Sequence, residues 1–123
     1  MAAAAVAVMV VVANTGCTHA SSRADDLLGE TLERASTAIP ERDDLIVVIQ
    51  DASPLVEREP TFTVDQSSSS RWTVIAACAD DADLAAALHL ELVVIPSETV
   101  TPQILSGVLE GQYADSAVCD WTL

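Results

Sequence analysis

Apolar and polar positions follow different rhythms along this chain, and each rhythm predicts a different element. "LIVVIQDAS", Leu45 to Ser53, is a continuous β-branched run and predicts a buried strand. "RWTVIAAC", Arg71 to Cys78, predicts a second. In "LHLELVVIP", Leu88 to Pro96, the residues Leu88, Leu90, Leu92 and Val94 fall on one face and His89 and Glu91 on the other, so a half-buried strand is expected. "TFTV", Thr61 to Val64, is a weaker strand signal. Helical spacing occurs twice. Leu32, Ala35 and Ile39 share one helical face, with Thr31 as cap and Pro40 as the stop. Ile104, Leu105, Val108 and Leu109 share another, started by Thr101 and Pro102 and stopped at Gly111. Between these elements lie a polar loop, "DQSSSS", and an acidic turn, "ADDADLAA".

The order is helix, strand, weak strand, strand, strand, helix, short tail, without an internal repeat. Such an order lacks regular strand–helix–strand alternation. It predicts an α+β fold: a small antiparallel sheet of three to four strands with one N-terminal and one C-terminal helix. A helix of about ten residues is marginal alone in water, so the C-terminal one is expected to dock on the sheet. The two helices are expected on the same face or side by side. The alternative is a mobile tail whose apolar face awaits a partner.

The opening breaks both rhythms. Residues 1–13 are Ala, Val and Met only, and no charge precedes Arg23. That run is shorter than the roughly 20 residues a bilayer span requires. It matches the apolar region of an export signal, although a cationic start is missing. "NTGC" resembles the lipobox of bacterial lipoproteins, with Gly16 before a Cys17 that would carry lipid. A second exit, cleavage after Ala20, would give a secreted chain. On the lipoprotein reading, residues 1–16 are the signal and 17–26 a polar tether. Residues 27–123 are then a single domain whose last part, 97–123, is a helical extension. The protein is then extracytoplasmic, bound to the membrane through Cys17.

The chain has 123 residues, which allows one domain. Ala and Val inflate its apolar fraction, and the core is expected to be small. Nineteen Asp and Glu face five Arg and no Lys, for a net charge of −14. That excludes nucleic acid, whose phosphates need cations, and electrostatic binding to anionic lipid. The acidity serves solubility, or gathers cations or a basic partner. Three Cys are present; with Cys17 lipidated, Cys78 and Cys119 remain as an even pair in an oxidising compartment. They are expected to form a disulfide, the alternative being two separate buried thiols.

"DDLLGETLERASTAI", then "IQDAS", "RWTVIAAC" and "LHLELVVIP", resemble a PASTA domain over about residues 25–96. Leu27, Leu28, Gly29, Thr31, Leu32 and Ala35 match its opening, and Trp72, Val74 and Val93 later positions. The family's Ser-Pro-x-x-Gly turn is replaced by "CADDADLAAA". The resemblance implies one helix on a small antiparallel sheet and a non-catalytic extracytoplasmic module that binds cell-wall fragments or serves as a spacer.

Little else points to chemistry. Asp80, Asp81 and Asp83 lack the Gly and distal Glu of a calcium loop and read as a solvated turn. His19 and His89 have no second ligand at metal spacing. The serines at 67–70 lack a nucleophile-elbow context. No catalytic residue, metal or cofactor is expected. Trp72 is a core aromatic or a ligand contact, and Trp121 a contact residue near the end of the chain. Three readings of function remain: a non-enzymatic envelope lipoprotein that binds or spaces, an acidic interaction factor for a membrane or cell-wall protein, and, last in order, a small hydrolase or metal-dependent enzyme.

Overall fold

The structure is a computed structural model and describes residues 22–119. The expected signal and Cys17 therefore lie outside the described residues, as does Trp121. Three strands form one sheet: β1 (Ile46–Asp51), β2 (Trp72–Ala79) and β3 (His89–Pro96), in the spatial order β1-β3-β2. Two helices accompany it, α1 (Leu32–Ala38) and α2 (Pro102–Leu109). The fold is thus α+β, as the rhythm of the chain predicts.

The helices begin where local chemistry starts them. Thr31 Oγ1 accepts from Arg34 N at 3.3 Å and Thr101 Oγ1 accepts from Ile104 N at 3.1 Å, each satisfying one of the free N–H groups of a first turn. α1 stops before Pro40. After α2 the chain turns at Gly111, whose φ of 82° suits a residue without a side chain.

The sheet is mixed rather than wholly antiparallel. β2 and β3 pair antiparallel, with Val74 opposite Val94 and Cys78 opposite Glu91. β1 and β3 pair parallel, with Val48 opposite Glu91 and Ile49 opposite Leu92. The cause is the sheet order. The chain reverses between β1 and β2 and again between β2 and β3, so β3 runs in the same direction as β1, and it takes the central place. The expected strand at Thr61 to Val64 is absent. Residues 61–63 are irregular and Val64–Gln66 is a 3₁₀ turn.

β3 is buried along nearly its whole length, not on one face only. Its two faces carry two cores. Leu90, Leu92 and Val94 join Trp72, Val74 and the α1 residues Leu32 and Ala35, closed by Leu27, Leu84 and Ala87. Val93 and Ile95 join Ile75, Ala76, Val108 of α2 and Ala117. The two helices therefore cover opposite faces, against the expectation that they share one. A central strand apolar on both sides needs a cover on each. Within α2, Val108 is buried and Ile104 half-buried, but Leu109 is 62% exposed, so its apolar face is only partly used.

Cys78 and Cys119 are joined as a disulfide with Cα atoms 5.7 Å apart, pinning the end of the described chain to β2. The same tail is held a second time. Glu91, only 6% exposed, accepts from Val118 N at 3.1 and 3.2 Å and from Cys119 N at 3.3 Å. A buried carboxylate demands such donors, and the tail supplies them.

β1 departs most from expectation. It reads as a buried strand but lies at the sheet edge, with Ile46 54% and Val48 50% exposed. Only Leu45 and Ile49 pack against a core, the one beneath α1. Ile46 and Val48 share the opposite face with Glu91 and Val93, beyond the reach of α2.

Candidate functional site

Two places combine exposure with chemistry. The first is a cavity of about 600 Å³ where the loop after β1, the turn before β2 and the end of β3 meet. Its wall is organised by Asp51. One carboxylate oxygen accepts from Ser53 N at 2.8 Å and from the Ser53 hydroxyl; the other accepts from Thr61 N at 2.8 Å and Phe62 N at 2.9 Å. This clasp folds the 52–62 loop back on itself and brings Arg58 and Glu59 to the rim. Partial burial alone would raise the Asp51 carboxyl, but the Ser53 hydroxyl and the three backbone N–H groups outweigh it and hold it below the ordinary range.

Across the rim stand Arg71, Ser97 and Glu98. Ser97 is fixed by its N–H to Arg71 O at 2.7 Å, and its hydroxyl reaches Thr73 Oγ1 and Ser70 O, both at 2.8 Å. Arg58 Nη1 meets Glu98 Oε2 at 2.7 Å, a bond and charge that lower the Glu98 carboxyl. Trp72 lines the cavity but is only 3% exposed, edge-on to Phe62 with ring centroids 5.3 Å apart. Of its two sequence readings, the core aromatic is the main one. Its indole Nε1 is buried and finds no acceptor among the described residues.

The second place is the outer edge of β1. Ile46 N donates to Leu88 O and Ala52 N to Val94 O, so the even-numbered residues bond β3. The alternate residues Val47 and Ile49 turn their backbone groups to the far edge, where no strand pairs among the described residues. The opposite sheet edge is protected: Gly29 N donates to Val74 O and Val74 N to Glu30 O, both at 2.8 Å. Val118, bonded to Glu91 beside Val48, is exposed too and extends the apolar strip. Asp43 and Asp44 precede the strip and Asp51 ends it. The nearby Arg42 is turned inward, bonding the carbonyls of Leu84 and Ala87 and, at 3.4 Å, Asp44.

The acidic turn is a structural device. Asp80 Oδ1 accepts from Leu88 N and His89 N, and Asp80 Oδ2 lies 3.0 Å from His89 Nδ1. The His89 hydrogen bond, ahead of the other contacts, lowers the Asp80 carboxyl. Asp81 and Asp83 accept backbone N–H groups two residues on. His89 is therefore half-buried and paired. No helix among the described residues is long and apolar enough to cross a membrane, and none of their His, Cys, Asp and Glu side chains form a metal-holding group.

Sequence reasoning anticipated the Cys78–Cys119 pair and the core reading of Trp72. It missed the Asp51 clasp, the convergence of Arg58 and Arg71, and the burial of Glu91. The one available signal was Val93 and Ile95 on the face that the alternation gave to His89 and Glu91, two apolar residues that need a cover of their own. No protein-family model, curated protein or solved structure matches this chain.

Proposed function

We propose that this protein is a non-enzymatic extracytoplasmic lipoprotein, anchored through lipid on Cys17, whose domain docks an envelope protein at the open edge of β1. The partner segment is extended, apolar in the middle and flanked by Lys or Arg. The observation that carries this reading is the uncovered edge itself. Long apolar edges are normally blunted by Lys, Pro or a bulge, and β1 has none of these. An added strand would gain main-chain hydrogen bonds from Val47 and Ile49 and cover Ile46 and Val48. Asp43 and Asp44 before β1, on a chain of net charge −14, favour a basic partner. A PASTA-like wall binder or spacer is the second reading. It is favoured by the Leu27–Gly29 opening and the Thr31-capped helix lying against the sheet. An acidic surface suits anionic wall polymers less well than a basic protein segment.

A synthetic peptide alternating Val and Thr between terminal Lys residues tests the docking. It should shift the backbone amide resonances of Val47 and Ile49 and slow their exchange. The same peptide with terminal Glu should bind far more weakly. Val47→Pro removes one outward N–H and should abolish binding without loss of fold. Binding indifferent to that substitution would sink the proposal. For the anchor, native protein should partition into detergent and a Cys17→Ser variant should not.

A further inference from the structure

The geometry points to the cavity beside Trp72 as a binding site for a small zwitterion, a free amino acid or short peptide presenting both an ammonium and a carboxylate. Four charged side chains face it, Arg58, Glu59, Arg71 and Glu98, and their charges cancel. On a protein of net charge −14, that makes the cavity a locally neutral place. The four are not equivalent. Arg58 and Glu98 satisfy each other at 2.7 Å. Arg71 and Glu59 make no side-chain ion pair or hydrogen bond among the described residues, although the Arg71 charge also acts on Glu98 from a distance. The site thus offers one cation and one anion whose hydrogen-bonding groups are unused among the described residues, with a closed ion pair beside them. An anion alone would meet Glu59 and Glu98, and a cation alone would meet both arginines. A ligand carrying both charges answers both unused groups, its carboxylate on the Arg71 guanidinium and its ammonium on Glu59.

The volume of about 600 Å³ lies within the range of small-ligand sites. The apolar part of the wall is Trp72 and Pro96, enough for a small side chain. Behind that wall the Trp72 indole N–H is buried and has no acceptor among the described residues. This site is separate from the edge of β1, so either can fail without the other.

Calorimetric titration of the full chain with dialanine, N-acetyl-dialanine and dialanine amide tests the assignment. A Trp121→Phe background leaves Trp72 as the only indole, and its fluorescence gives a second readout. Dialanine should bind and change that fluorescence, while each blocked peptide should bind about tenfold or more weakly, since each loses a charge-assisted contact. Arg71→Ala should weaken dialanine to the level of its amide and remove the difference between the two. Glu59→Gln should remove the difference between dialanine and its acetylated form. Both side chains are on the rim, and an unchanged melting temperature would show that the variants fold. No heat and no fluorescence change at millimolar dialanine would overturn the site, as would equal binding of the blocked peptides or undiminished binding by Arg71→Ala.

Discussion

β1 and β3 have almost the same vocabulary, "IVVIQD" against "HLELVVIP", and opposite surroundings. β3 pairs on both edges, is covered on both faces, and buries even a glutamate. Among the described residues, β1 pairs on one edge and leaves Ile46 and Val48 half exposed. Composition made both strands; place in the sheet order decided what each does. The central strand bears the load of folding, and the edge strand is left with surface to offer. A run of β-branched residues therefore signals a strand without saying whether its apolar surface is used inside the molecule.

The contrast can be broken by substitution. Leu92→Ala on β3 should cost about 2–5 kcal/mol of unfolding free energy, the usual range for a buried leucine, measured by urea titration. A loss below that range would mean the core under α1 collapses around the gap. The disulfide secures the cover on the other face of β3, and its removal by Cys119→Ser should cost about 3–4 kcal/mol for a loop of this length. Reduction of the wild type should lower the melting temperature likewise and bring it level with the variant. At the end of β1, Asp51→Ala should cost about 1–3 kcal/mol by leaving the N–H groups of Ser53, Thr61 and Phe62 without their acceptor. The folded pKa of Asp51 lies below its unfolded value, so the unfolded chain binds the proton more readily. This carboxylate's contribution is complete above the unfolded value, about 3.9, and is lost as pH falls through the folded one. Asp51→Asn should flatten that acid limb of the stability curve. Smallest of all, Val48→Thr on β1 should change stability by less than about 0.5 kcal/mol. A large loss there would show that the β1 face is covered in solution, and that the two strands differ less than their exposure indicates.

The features legible in the sequence are those decided locally. Thr31, Thr101 and Gly111 act on residues three or four positions away, and both helices fall where they indicate. The Cys78–Cys119 bridge was read from the even pair that remains once Cys17 is set aside as the expected lipid carrier. Sheet order was not, because it depends on which strand meets which across long separations. The parallel pairing of β1, its exposure and the opposite placement of the helices all follow from that order. The failed strand at Thr61 has a specific cause: the Asp51 carboxylate takes the N–H groups of Thr61 and Phe62, which hold the loop instead of a ladder. Phe62 is apolar because it packs on Trp72. The cavity was hidden for a similar reason. Arg58 and Arg71 belong to separate loops, and only the closure of those loops against the end of β3 brings them to one rim.

The parallel pairing of β1 with β3 also sets a schedule. β1 ends at Asp51 and its partner begins at His89, so a chain emerging N-terminus first presents the apolar run before its partner exists. At roughly 5–20 residues per second, synthesis of the intervening segment leaves β1 waiting for seconds. During that interval "LIVVIQ" is a sticky, uncharged hexamer, the kind of segment that pairs with copies of itself. Asp43 and Asp44 on one side and Asp51 on the other stand where gatekeeping charges protect such segments, since antiparallel pairing of two copies would bring like charges together. The acids that frame the edge of the finished domain would thus have served earlier, keeping nascent chains apart until β3 arrived.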